Sequence, residues 1–175
     1  IKNKTGVDPF PCPNRLRGCV THRISSDDFF EQNDKEFDII FIDGLHLAEQ
    51  VEKDIINSLK VLRPNGYIVC HDMLPTKEGH QSCEGASVEA KHEDEYRVGF
   101  GEAGAWTGDC WKAWVKIRSE RDDINMRVVD TDWGVGVISK QPQAKIDLNK
   151  DLTWENFVKE RDYWMNIISP EEFIK

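Results

Sequence analysis

The sequence predicts an α/β fold in which helices cover a mainly parallel sheet, and three observations support this class. Two apolar runs, Phe37–Asp43 and Tyr67–Cys70, flank a segment with helical periodicity. Apolar residues on consecutive positions are typical of parallel strands that are buried on both faces. Two later strand candidates, Asn125–Asp130 and Val135–Ile138, are separated by Asp132-Trp133-Gly134 and indicate a hairpin. We therefore expect a right-handed strand–helix–strand unit followed by an antiparallel pair.

The N-terminal segment predicts two short strands and a short helix. Thr5–Asp8 is a strand candidate that ends at Pro9, and Cys19–His22 is a second one. Residues 10–17, which are rich in Pro and Arg, are predicted to form the loop between them. Ser25 and Ser26 then precede two acidic and two aromatic residues, a pattern that is typical of an N-capped helix.

The segment between the two apolar runs predicts an amphipathic helix over His46–Leu62. Its apolar residues recur at helical spacing, with charged residues on the other face. These apolar residues are Leu47, Val51, Ile55, Leu59 and Leu62. Pro64-Asn65-Gly66 predicts a turn that separates this helix from the next strand.

The C-terminal part predicts two more helices. Asp109 is a candidate cap for a helix that continues to about Ser119. Leu152–Ile168 is predicted to form a terminal amphipathic helix. Residues 73–107 show no clear periodicity, and a segment of that length inside a compact domain is typical of a functional loop.

Composition excludes some classes of partner. The chain has 32 acidic and 23 basic residues and a net charge of -9, which repels phosphate backbones and anionic lipid surfaces. No apolar run approaches the length of about 20 residues that spans a bilayer. The five cysteines favour free thiols in a reducing compartment. We therefore predict a cytoplasmic protein without a nucleic-acid or membrane partner.

Two stretches carry a family resemblance: FDIIFIDGLH, from Phe37, and VEKDIINSLKVLRPNGYIVCHDMLP, from Val51. They resemble the class I S-adenosylmethionine-dependent methyltransferases, in particular the branch that methylates hydroxyl groups of small molecules. The resemblance covers about residues 5–140. It implies a Rossmann-like three-layer sandwich whose mainly parallel sheet contains one antiparallel strand.

The start of that fold is missing from the sequence. The first strand, its Gly-rich loop and its helix should precede Lys4, where the chain has only Ile1-Lys2-Asn3. The resemblance therefore implies a partial methyltransferase domain over residues 1–140, with residues 141–175 as a helical extension of the same domain. We expect the native polypeptide to carry an upstream segment with a strand, a Gly-rich turn and a helix.

The resemblance also implies a binding site for S-adenosylmethionine. Asp8 falls where the family places an acid that accepts hydrogen bonds from the two ribose hydroxyls, a task that suits a carboxylate. Ser26 and Asp27 fall where the family contacts the adenine. Asp43 is assigned to the cofactor site as well.

Asp43 and Asp72 follow the two consecutive apolar strands. Because a ligand crevice in an open α/β sheet lies at the carboxyl ends of the strands, both carboxylates should face one cleft. The resemblance implies a divalent metal there, and hard oxygen ligands suit Mg²⁺. We assign Asp43, His71 and Asp72 to the metal, and His46, His71 and Asp43 to catalysis. The alternative is structural: Asp43 as a helix cap and Asp72 as a turn residue.

Together these observations predict methyl transfer from S-adenosylmethionine to a hydroxyl of a small molecule, with a sugar among the candidates. A metal or a histidine would assist the removal of the hydroxyl proton, and residues 73–107 would cover the acceptor pocket. The alternative is a non-catalytic accessory domain that retains the scaffold. A nucleotide-binding oxidoreductase is disfavoured by the closing hairpin. Homo-oligomerisation stays open.

Overall fold

A computed structural model describes residues 3–10, 19–83 and 106–175 of the chain. Its helices and strands follow each other in the order α1 (Ser26–Gln32), β1 (Phe37–Ile42), α2 (Ala48–Val61), β2 (Leu62–Cys70), α3 (Cys110–Glu120), β3 (Asn125–Val129), β4 (Val135–Ser139), α4 (Trp154–Met165), β5 (Ile167–Ile168) and α5 (Pro170–Ile174). A short 3-10 helix, Glu78–Gln81, follows β2. Among these helices, none is long and apolar enough to cross a bilayer.

The strands form one sheet in the order β1-β2-β4-β3-β5. β1 pairs with β2 in parallel, and β3 pairs with β5 in parallel. β4 lies between β2 and β3 and runs antiparallel to both. Four of these five strands therefore share one direction, which confirms the predicted mainly parallel sheet with one antiparallel strand. The predicted hairpin is also confirmed, and its second strand, β4, lies beside β2.

The turn predicted at Pro64-Asn65-Gly66 is wrong, because these residues lie inside β2. The register shifts from Phe37↔Leu62 to Ile39↔Tyr67, so β2 has extra residues opposite β1 at this point. A bulge of this kind accommodates a proline within a strand. These residues, predicted to form a turn between the helix and the next strand, therefore lie within the strand and only interrupt its pairing with β1.

The core lies on one face of the sheet. Buried residues of β1, β2 and β4 pack there against α2 and α3, with Ile55, Ile68, Trp114 and Ile138 fully buried. α4 extends this layer, since its aromatic side chains pack against Trp111 of α3. The first, central and last thirds of the described chain thus contribute to a single core.

The opposite face of β1 and β2 contradicts the prediction that these strands are buried on both sides. Ile39, Phe41 and Tyr67 are 58%, 61% and 48% exposed. Side chains alternate between the faces of a strand, and α2 and α3 occupy the face of Ile40, Ile42 and Ile68. No described helix covers the other face, so the consecutive apolar residues remain half exposed in this part of the chain.

Both ends of the described chain differ from the prediction. Instead of two N-terminal strands, the structure has one parallel bridge between Val7 and His22. The predicted terminal helix is shorter: Thr153 caps its start, and Asn166 ends it in a left-handed conformation with φ 52°. Ile167 and Ile168 then pair with β3 at the edge of the sheet. The short helix α1 is confirmed, with the Ser25 side chain accepting from the backbone N–H of Asp28.

Candidate active site at the carboxyl ends of β1 and β2

Two acidic side chains meet at one edge of the sheet because β1 and β2 are parallel neighbours. Ile42 pairs with Cys70, and the backbone N–H of His71 continues the ladder by donating to the Ile42 carbonyl at 3.0 Å. Asp43 and Asp72 follow directly. Asp72 has φ 60°, a left-handed conformation that aspartate tolerates better than most residues, and it is 6% exposed. Both aspartates stand at the position predicted for the crevice.

Two histidines complete a compact cluster with these acids. His46 Nε2 lies 3.5 Å from Asp43 Oδ1 and 3.2 Å from Asp72 Oδ2. His71 Nδ1 lies 3.5 Å from the same Asp43 oxygen and 3.0 Å from the same Asp72 oxygen. One atom each of Asp43, His46 and Asp72 lies within 4.8 Å of the others, a spacing that could hold a metal ion. The structure thus brings together all four residues that were predicted at this edge.

The environment shifts the pKa values of these groups in different directions. A hydrogen bond with His46 lowers the pKa of Asp43 despite its partial burial. Burial raises the pKa of Asp72, and the nearby histidines offset this effect only in part. Burial alone would lower the pKa of His71, but its contacts with Asp72, Asp43 and Asp132 raise it. The cluster therefore contains one carboxyl group with a lowered pKa and one with a raised pKa, as acid–base sites commonly do.

His46 is held by residues that the sequence analysis missed. Its Nδ1 lies 3.3 Å from the Trp106 carbonyl oxygen, and the two rings pack with centroids 4.8 Å apart. Gly108, with φ 58°, passes so close that an added Cβ would lie 1.8 Å from the His46 carbonyl oxygen. These contacts join residues about 60 positions apart, so no local pattern could have revealed them.

The structural role proposed for Asp43, a cap on the following helix, belongs instead to Asp109. Asp109 Oδ1 accepts a hydrogen bond from the Ala48 N–H, at the start of α2, at 2.7 Å. Its side chain makes no capping bond to α3, the helix it was predicted to cap. Asp109 thus stabilises the first turn of α2 and leaves Asp43 to face the cluster.

The predicted adenine-binding residues form a polar group of their own. Gln50 Nε2 donates to Ser26 Oγ at 3.2 Å and to Asp27 Oδ1 at 3.1 Å. It also lies 3.1 Å from Asp54 Oδ1, on the next turn of α2. Ser26 and Asp27 are therefore tied to the helix that follows Asp43. Gln50 and Asp54 were not predicted.

Asp8, the predicted ribose ligand, lies on the N-terminal bridge. Its backbone N–H donates to the His22 carbonyl, and its Oδ1 accepts from the Phe10 N–H at 2.8 Å. The ring of His22 in turn packs against Phe29 of α1. The segment that carries Asp8 is therefore connected through His22 to the helix that carries Ser26 and Asp27.

The side chains of the cluster are arranged in a way that favours a bound cation. Because a carbonyl oxygen only accepts, the Nδ1–H of His46 donates to Trp106, and the lone pair of Nε2 points at the oxygens of Asp43 and Asp72. A cation between these atoms would be attracted by all three of them. Oxygen and imidazole donors at these distances fit a small divalent ion.

Part of the chain matches a known family. Residues 10–73 match the sequence model of the Methyltransf_24 family, described as a methyltransferase domain. The matched segment contains Asp43, His46 and Asp72. A search of curated proteins gives no match.

Among solved structures, the chain is similar to the MycE methyltransferase from the mycinamycin biosynthetic pathway, in complex with Mg, SAH and mycinamycin VI. The two are 14% identical, with a TM-score of 0.46. The alignment covers 90% of this chain and 42% of that protein, so the chain spans less than half of its length.

The described part of the chain has a mixed α/β fold with β4 antiparallel between β2 and β3. This strand order agrees with the Rossmann-like fold that the resemblance implies, and the segment that matches a methyltransferase domain includes FIDGLH and NGYIVCHD.

Asp54 gives a pH-dependent prediction. Burial raises its pKa above 3.8, and hydrogen bonds from Ser26 and Gln50 offset this only in part. Between that value and the raised pKa, the folded protein keeps a proton that the unfolded chain loses, so stability falls as pH rises. We expect Asp54→Asn, which removes this titration, to gain in urea stability relative to wild type as the pH rises above 3.8.

The exposed Asp162→Asn on α4 is the matched control and should show no such trend. A wild-type protein that gains stability over Asp54→Asn as the pH rises would show instead that the ionised Asp54 is stabilising.

Proposed function

We propose that the protein transfers a methyl group from S-adenosylmethionine to a hydroxyl of a small molecule. The observation that carries this proposal is the cluster of Asp43, His46, His71 and Asp72 at the carboxyl ends of β1 and β2, in a chain with the class I methyltransferase fold. Ligands of open α/β sheets bind at this edge. The acceptor is a small hydroxylated compound, and a sugar is the first class to test.

The cofactor residues are proposed from the fold and from their chemistry. Asp8, Ser26, Asp27 and Asp43 offer carboxylate and hydroxyl oxygens, which suit the hydroxyls of a ribose and the amino group of an adenine. Gln50 supports this assignment because it holds Ser26 and Asp27 together at the start of α1. S-Adenosylmethionine would supply the methyl group.

The metal residues are proposed from the spacing of the donors. Asp43, His71 and Asp72 would hold a divalent ion such as Mg²⁺, since the Asp43 and Asp72 oxygens lie 3.5 and 3.0 Å from His71 Nδ1. A bound metal would act as a Lewis acid and make a nearby hydroxyl more acidic. The acids also hold the two imidazole rings in fixed orientations.

His46 is the proposed general base. With its Nδ1 hydrogen directed to the Trp106 carbonyl, its Nε2 is the nitrogen that can take a proton. This is the arrangement of a catalytic base whose second nitrogen is oriented by an acceptor. The hydroxyl proton of the acceptor would pass to Nε2 during methyl transfer. The packed indole of Trp106 keeps water away from one face of the ring.

Asp72→Asn tests the metal-assisted step. The change keeps the size of the side chain but removes a charge that faces both histidines, so we expect methyl transfer to fall by about 10²-fold or more. The affinity for S-adenosylmethionine, measured by calorimetry, should change less than about threefold, because Asp72 is not among the cofactor residues. Turnover is followed with methyl-labelled cofactor over a panel of sugars and phenols.

The exposed Asp130→Asn is the matched control for charge and should retain wild-type turnover. If wild type fails to bind S-adenosylmethionine, the methyltransferase proposal is wrong and an accessory domain takes its place. If excess chelator leaves turnover unchanged, the metal is excluded and a histidine alone is the base.

His46→Gln separates the two tasks that its Nε2 could perform. A lost general base should reduce turnover by about 10²–10⁴-fold while the affinity for Mn²⁺, measured by electron paramagnetic resonance, stays within about threefold. His71→Gln is the comparison, because it should weaken Mn²⁺ binding. An equal loss of Mn²⁺ affinity in His46→Gln would identify His46 as a metal ligand instead.

A further inference from the structure

The tip of the β3–β4 hairpin has an unusual backbone. The Gly134 N–H donates to the Thr131 carbonyl at 2.8 Å, which closes a tight turn. The residues between them, Asp132 and Trp133, both have positive φ, 44° and 61°. Such a turn suits the twist of a hairpin but favours Asn or Gly, and a bulky residue in this conformation is rare. Backbone strain of this kind persists where the surroundings hold it, and it concentrates at functional sites.

The hairpin tip is held against the residues that follow Asp72. The Met73 N–H donates to the Gly134 carbonyl at 3.1 Å, and the Leu74 N–H donates to the Trp133 carbonyl at 2.7 Å. The indole of Trp133 also packs edge-on against the buried ring of His80, with centroids 5.1 Å apart. The turn and the residues after β2 therefore form one hydrogen-bonded unit at the edge of the candidate site.

This unit brings a third carboxylate to the cluster. Asp132 Oδ2 lies 3.3 Å from Nε2 of His71, although its side chain is 73% exposed. The other nitrogen of the same ring, Nδ1, faces Asp72 and Asp43. His71 thus lies between the hairpin tip on one side and the two strand-end acids on the other.

We infer that Asp132 is a positioning residue that selects the tautomer of His71. A neutral imidazole has one N–H, and a carboxylate only accepts. If the hydrogen sits on Nδ1, it points at Asp72, and the ring cannot bind a cation through that atom. If Asp132 accepts the hydrogen on Nε2, the lone pair of Nδ1 faces Asp43 and Asp72. Metal-binding histidines are commonly oriented in this way by a carboxylate.

This inference rests on the proposed metal site and extends it to a residue outside the two strand ends. It also gives the strained turn a role. The turn is hydrogen-bonded to Met73 and Leu74 and places Asp132 beside His71.

The test replaces Asp132 without disturbing the turn. Asp132→Gly removes the carboxylate and tolerates positive φ, while Asp132→Asn keeps an oxygen that can accept from Nε2. Asp130→Gly, two residues earlier, is the matched control for charge and flexibility. The tautomer of His71 is read from long-range proton–nitrogen NMR spectra of the magnesium-loaded protein, with His71→Gln for assignment. Mn²⁺ affinity is measured separately by electron paramagnetic resonance.

Wild type, Asp132→Asn and Asp130→Gly should show the hydrogen on Nε2, and Asp132→Gly should show it on Nδ1. The dissociation constant for Mn²⁺ should rise about 10-fold or more in Asp132→Gly and less than about threefold in the other two variants. A folded Asp132→Gly protein with unchanged tautomer and affinity would overturn the role of Asp132 and leave the metal site standing. A wild-type protein that does not bind Mn²⁺ would overturn the metal site and, with it, this inference.

Discussion

The parallel pairing of β1 with β2 is the contact on which the candidate site depends. Because Ile42 lies opposite Cys70, the residues that follow both strands emerge at the same edge of the sheet. The helix between the strands, α2, fixes this register by packing Val51, Ile55 and Leu59 into the core. A shift of one residue would turn the apolar side chains of a strand to the wrong face. The burial that stabilises the fold therefore also positions Asp43 and Asp72.

The charges at this edge give the site its chemical character. Asp43 and Asp72 both contact the rings of His46 and His71. The other ring nitrogen of His46 faces the Trp106 carbonyl oxygen, and that of His71 faces Asp132. Two acids that face two nitrogen atoms would be stabilised by a bound cation. Neighbouring carboxyl groups with opposite pKa shifts, lowered for Asp43 and raised for Asp72, are common in acid–base sites.

The parts of the structure that depend on periodicity and on strand order were predictable from the sequence. β1, α2, β2, α3 and the hairpin follow from apolar spacing, and the meeting of Asp43 with Asp72 follows from parallel strands. The residues that complete the site could not be predicted from the sequence. Trp106 and Asp109 reach α2 or His46 across about 60 positions, and Asp132 depends on backbone dihedrals at a hairpin tip. The Pro64-Asn65-Gly66 signal was read as a turn because composition does not separate a turn from a bulge.

We propose that the Asp43–His71–Asp72 cluster binds a divalent metal at the carboxyl edge of the sheet. Anomalous diffraction from a crystal of the protein grown with Mn²⁺ would locate this ion. We expect an anomalous peak within about 2.0–2.6 Å of the Asp43 and Asp72 carboxylates, with His71 turned toward it through Nδ1. An anomalous map that is empty at this edge, from crystals in which Mn²⁺ is in excess, would show that the cluster does not bind the metal.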